Sequence, residues 1–274
     1  MKKLAYPFLL WALLAGAAQA QDAAKLAQRL VDRSGLAVQL QSLPKNFGEQ
    51  MAALRGKVPD ELLLALTEAG REAYRPQAMA QEIANTLAET LKPEEMQRVL
   101  AWLEEGVGRR VTLAEERASG SMTEQSLQRY AEQTQAKPPS AQRQKLIQDM
   151  IEVTNGLEFG ARLMEGMALG VAIGMDSTQP VQNRAGVAML RKQLEAAMPK
   201  EQVKAQLRAA MPAMMGYTYR EVSDADLTAY VVFLRSPDGK RANDAITEAF
   251  TQAMVSASVR MGQFVDQRST KRPT

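Results

Sequence analysis

Apolar residues recur at helical spacing along nearly the whole chain, and no run alternates as a half-buried strand would. The clearest case is Leu227, Tyr230, Val231 and Leu234, which fall at i, i+3, i+4 and i+7. Ser223, followed three residues later by Asp226, predicts a capping box at the start of that helix. Ser236-Pro237-Asp238-Gly239 ends it, because proline cannot continue a helix but suits the first turn of the next. Ala242, Ala245, Ile246, Ala249 and Phe250 then begin a second apolar face.

The same pattern occurs earlier. Met96, Val99, Leu100 and Leu103 repeat the spacing, with Trp102 where Phe233 stands and Gly108-Arg109-Arg110 answering Gly239-Lys240-Arg241. A second correspondence joins Leu26, Leu30, Ser34 and Gly35-Leu36 to Leu146, Met150, Thr154 and Gly156-Leu157, with one residue inserted. Between the halves, Gln135-Ala136-Lys137-Pro138-Pro139-Ser140 reads as an exposed, extended linker. The expected architecture is all-α: tandem helical bundles from an internal duplication, with one unit over 21–136 and the other over 137–274. In the first unit a helix is expected from Leu26 to Leu43, interrupted at Pro44. Further helices open at Pro59-Asp60-Glu61 and Pro93-Glu94-Glu95, and two more carry the stripe Met79, Ile83, Leu87 and the stretch Thr123–Gln133. From Arg268 onward the chain is a polar tail.

The N-terminus changes the picture of where the protein acts. Lys2 and Lys3, an apolar stretch from Leu4 to Ala17 and Ala18-Gln19-Ala20 have the three-part form of a signal peptide, with cleavage after Ala20. A periplasmic protein with no transmembrane segment in its mature chain is expected. The net charge of +3 includes Lys2 and Lys3, so the mature chain is close to neutral. Acidic and basic residues are interspersed along it, which argues against a nucleic-acid partner, since such a face needs clustered positive charge.

The chain has neither cysteine nor histidine. Disulfides, Ser-His-Asp and Cys-His nucleophilic sites and His-based metal centres are therefore excluded, and no cofactor or metal is expected. Glu104-Glu105 and Glu115-Glu116 are read as solvated charge on faces opposite the apolar stripes. Met164-x-x-Met167 and Met211-x-x-Met214-Met215 could present thioethers, but adaptable core packing is the ordinary use of methionine. Gly166, Gly170 and Gly174, four apart in an apolar run, predict a smooth helix groove. Its occupant could be another helix of the chain, a second copy, a partner protein or an apolar ligand. Lys240 and Arg241 near the helix start at Pro237 offer a possible anion site, beside the structural reading of the same turn.

The segment from Phe233 to Lys240 resembles a bacterial secreted family described only as a domain of unknown function. That family's pattern is an aromatic pair, Ser-Pro, any residue, Gly, any residue and Lys, after an acidic helix start. Phe233, Ser236, Pro237 and Gly239 match; Leu234 replaces the second aromatic, and the basic residue comes at Lys240 or Arg241. In the first unit Trp102, Gly108 and the basic pair remain, while Glu105-Gly106 replaces Ser-Pro. The resemblance implies a small helical exported protein and assigns no catalytic residue. A non-catalytic binding or interaction module is the expectation. A carrier of a lipid or other apolar ligand in an inter-helix cavity is the alternative, and a carboxylate-based hydrolase comes third.

Overall fold

The computed structural model describes residues 21–270. The predicted leader over Met1–Ala20 and the end of the tail, Lys271–Thr274, lie outside the described residues. Within them the chain is all-α, with no strand beyond one isolated bridge between Arg55 and Val58. No described helix is long and apolar enough to cross a membrane.

A first helix, α1, occupies residues 21–33 and is followed by α2 (Leu36–Ala53). The break between them falls at Gly35, not at Pro44. Gly35 has φ +78°, which glycine enters without a Cβ clash, and the chain turns there. Pro44 lies inside α2 on its exposed side, where water can satisfy the carbonyl that a proline leaves unbonded. The hairpin-like succession α3 (Asp60–Ala73), α4 (Pro76–Thr90) and α5 (Pro93–Glu104) follows, with Pro76 and Pro93 at the first helical position. Met79, Ile83 and Leu87 are buried as their spacing predicts, and so are Met96, Val99, Leu100 and Leu103.

Helices α6 (Gly106–Ser121) and α7 (Glu124–Ala136, capped by Thr123) complete the first half. After Lys137-Pro138-Pro139 the chain resumes with α8 (Ala141–Val153) and α9 (Gly156–Thr178). The joint between these two is Asn155, whose φ of +51° matches the left-handed turn at Gly35. Both joints are thus single-residue corners in the left-handed region. Then come α10 (Val187–Ala197), α11 (Lys200–Thr218), α12 (Asp224–Arg235) and the long α13 (Pro237–Thr270). The segment expected to fray from Arg268 continues α13 as far as Thr270.

The α12–α13 corner forms as its residues dictate. Ser236 Oγ accepts the Gly239 N–H at 3.1 Å, a side-chain cap on the first turn of α13. Gly239 is needed for close approach: a Cβ there would overlap the Phe233 carbonyl oxygen and lie 2.7 Å from its carbon. Gly108 meets Trp102 in the same way at the α5–α6 corner, at 2.8 Å from the Trp102 carbonyl carbon. The two aromatic residues meet each other, their rings stacked at 3.9 Å and 5°. Arg110 then binds Asp226 through two hydrogen bonds of 2.7 and 2.8 Å, while Arg241 lies 3.8 Å from Glu95. Each arginine thus crosses to the acidic helix start of the other half. At the start of α12 the capping box is half-made. Ser223 Oγ accepts the Asp226 N–H at 3.1 Å, but the Asp226 carboxylate belongs to Arg110.

Helix α13 runs about 50 Å at 1.5 Å per residue and is the axis of the molecule. Its small residues Ala242, Ala245, Ala249, Ala253 and Ala257 are buried in one cluster with Leu30, Leu40, Met79, Ile83, Leu87 and Met96 of the first half. On its other side it crosses α9. A second cluster joins Val111 and Ala114 of α6 to Met150 of α8 and to Leu227 and Val231 of α12. Both clusters therefore draw on both sides of the linker.

Candidate functional site

Where the two clusters part, the helices leave an open-sided cavity of about 550 Å³. This is within the roughly 300–1,000 Å³ typical of small-molecule sites. Its walls come from α9, α11, α12 and α13, with Val99 and Leu103 of α5 behind. Methionine dominates: Met164 from α9 and Met211, Met214 and Met215 from α11 converge on it, joined by Phe159, Leu207, Phe250 and Ile246. Met164 of the first methionine motif and all three methionines of the second, far apart in sequence, thus share one space. Met164 and Met214 keep 42% and 38% of their surface exposed, which puts them at the mouth. Methionine is suited to such a wall because its unbranched thioether adapts to irregular apolar shapes. The start of α11 is tied over α9 by Glu158, which pairs with Lys200 and, at 2.7 Å, with Lys204. The hydrogen bond from Lys200 first, then that from Lys204, holds the Glu158 carboxyl down at about 2.

Among the described residues, one ionisable carboxyl lines this apolar space, that of Glu115 of α6. Its Oε1 accepts the hydroxyl of Tyr219 at 2.6 Å and that of Tyr230 at 3.2 Å. Desolvation is the main influence on the carboxyl and pushes it up to about 7, against the two tyrosine hydrogen bonds. Burial also raises both tyrosines well above their usual value. Tyr230 stacks at 5.5 Å on Trp102, and Tyr219 meets it edge-on at 6.2 Å. The carboxyl is thus held by an aromatic series that starts at the stacked corners.

A second, more polar hollow of about 390 Å³ adjoins the first. Gln39, Glu115, Met122, Thr218, Tyr219 and Phe250 line both, and Ser42, Asn46 and Ser119 are added on the polar side. Glu115 therefore stands at the junction of an apolar chamber and a polar vestibule. Among the described residues, no lysine or arginine lines either space.

The expectation of a solvated Glu115 is corrected by this arrangement. Its place on α6 explains why: Val111, Ala114 and Ala118 are buried, and Glu115 shares their side of the helix. Glu104, in contrast, faces outward and pairs with Arg29 and Arg33. Glu116 pairs with Arg109 at 3.2 Å. A glycosidase-type pair needs two carboxyls across one cleft, and the described cavity is lined by one. No described cluster of acidic residues could hold a metal ion.

The glycine stripe is filled from within. A Cβ on Gly166 would lie 2.8 Å from Val255 Cγ2, and one on Gly170 would lie 3.0 Å from Ser258 Cβ. At Gly174 it would overlap the Val259 carbonyl oxygen and lie 2.9 Å from the Gly262 Cα. The groove thus receives α13 of the same chain. Met167 likewise packs on the core rather than in the cavity. Of the corner residues, Trp102, Phe233, Ser236, Pro237, Gly108 and Gly239 shape the two turns as described. Lys240 binds Asp244 at 2.7 Å, and Arg241 donates to the Thr90 carbonyl at 3.0 Å. At the start of α13 it is Asp238 that sits by the helix terminus, held by Arg98 at 2.8 Å. The basic residues of this corner therefore already have partners within the chain.

No family model, no curated protein and no solved structure matches the chain.

Proposed function

We propose that the protein is an exported, periplasmic carrier that holds an apolar small molecule in the methionine-lined cavity. The observation that carries this reading is the cavity itself. An apolar space of this size, walled by Met164, Met211, Met214, Met215, Phe159 and Phe250, forgoes packing that a core would otherwise contain. The interaction-module reading leaned on the glycine groove, which α13 occupies, so the carrier reading has the better support. Saturable binding of the neutral dye N-phenyl-1-naphthylamine, read as a rise in its fluorescence, is the expected result. Met211→Trp should weaken it tenfold or more by filling the chamber. Val232→Trp, on the exposed face of α12, should leave it unchanged. No saturable binding, or equal binding by Met211→Trp, would end the proposal.

The two halves are further read as diverged copies of one unit. The stacked Trp102 and Phe233, the matched glycine corners and the exchanged arginines support this. A relative with a single copy should then dimerise, stacking its aromatic on its partner's; a stable monomer of that kind would count against the duplication.

A further inference from the structure

The chamber fixes the shape of the ligand's body, and the groups around Glu115 fix the chemistry of its head. Oε1 carries both tyrosine hydrogen bonds. Oε2 accepts no hydrogen bond from the described residues, and it is not sealed from solvent, since no described buried side-chain oxygen lacks a partner. It therefore keeps access to solvent, and Glu115 lines both hollows. The vestibule also offers the uncharged oxygens of Gln39, Ser42 and Thr218. An acidic head would meet Glu115 with no cation to balance it, and a wholly apolar end would leave Oε2 without a donor. An ammonium supplies three donors and the missing positive charge.

We propose that the ligand is a cationic amphiphile, with its apolar chain in the methionine-lined chamber and a primary ammonium on Glu115 Oε2. This rests on the carrier reading and adds the head group to it.

A pH dependence follows. The groups facing Glu115 are Tyr219 after α11, Tyr230 of α12 and its own neighbour Glu116, whose charge is taken up by Arg109. From α2 the facing residues are Gln39, Ser42 and Asn46, from α5 Leu103, and from α13 Asn243 and Phe250, none of which titrates. The tyrosines stay neutral through the physiological range. Glu115 thus takes up a proton near pH 7 in the empty protein. An alkyl ammonium stays charged there, as a lysine does. Ammonium binding needs the carboxylate, so affinity is full above pH 7 and is lost as pH falls through it.

The test uses the full mature chain, with dodecylamine, dodecanol and dodecanoate displacing N-phenyl-1-naphthylamine. At pH 8 dodecylamine should bind about tenfold more tightly than dodecanol, the scale of a charge-assisted hydrogen bond, with dodecanoate weakest. Its affinity should fall about tenfold between pH 8 and pH 6, while that of dodecanol stays level. Glu115→Gln should abolish both the preference for the amine over the alcohol and the pH dependence. Equal binding of amine and alcohol, tightest binding of dodecanoate, or a preference that survives in Glu115→Gln would each overturn the head-group assignment and leave the carrier. Failure of all three chains to bind would instead remove the carrier reading. The head-group series and the wild-type pH arm require no variant, so poor folding of Glu115→Gln would not shield the proposal.

Discussion

Gly174→Ala is expected to destabilise the protein by about 3 kcal/mol, although alanine is the better helix former. Propensity alone would add about 1 kcal/mol of stability at a helix interior. At Gly174 the added methyl would overlap the Val259 carbonyl oxygen and crowd the Gln263 nitrogen and the Gly262 Cα, both at 2.9 Å. These are backbone atoms, so no rotamer change relieves the overlap, and α9 and α13 must move apart over their whole contact. Gly166→Ala is the control. Its methyl would meet only Val255 Cγ2 at 2.8 Å, the end of a side chain that can yield, and the change should be near neutral. Urea denaturation of both variants decides the matter. Equal stability of Gly174→Ala and wild type would mean that the two backbones do not meet so closely.

The second large effect concerns pH and the empty protein. Glu115 titrates at about 7 in the folded chain, above its ordinary value of 4.5. For a group whose folded value is raised, the associated stability is fully present below the unfolded value and is lost as pH rises through the folded one. From pH 4.5 to 7 the folded chain therefore becomes progressively less stable on this account, as a charge is forced into an apolar site. The shift corresponds to an upper limit of roughly 3 kcal/mol, and about 2 kcal/mol is expected because the carboxyl keeps some access to solvent. Glu115→Gln should accordingly be more stable than wild type by about 2 kcal/mol at pH 8 and equal to it by pH 4.5. Comparison of the two proteins cancels the titration of every other acid. A difference that does not change with pH would show that Glu115 keeps its ordinary acidity.

Much of the fold is legible in the chain because helices here announce themselves locally. The stripes Met79–Ile83–Leu87 and Leu227–Val231–Leu234 are buried as spaced, and Ser236-Pro237 builds its cap from neighbouring residues. Prolines were less informative than their reputation. Pro44 and Pro212 both lie inside helices on exposed sides, where the unbonded carbonyl can turn to water, and the real corners are Gly35 and Asn155. The site is harder to read because it is made between helices distant in sequence. Met164 and Met211 form separate motifs, and nothing local says that they face one cavity. Glu115 did carry a signal, its place between Val111 and Ala118, but the adjacent Glu116 made the pair look like ordinary surface charge. The partners that give Glu115 its character, Tyr219 and Tyr230, come from a different half of the chain.

The position of α13 bears on how the chain folds. The apolar faces of α1 to α5 pack on one another and close around Ala242 to Ala257, far along the chain. Those helices can form locally, but the face they turn toward α13 stays uncovered until that helix docks. Contacts of such sequence separation slow folding, since the intervening chain must be looped before they form. Commitment to the native state therefore waits for the docking of α13.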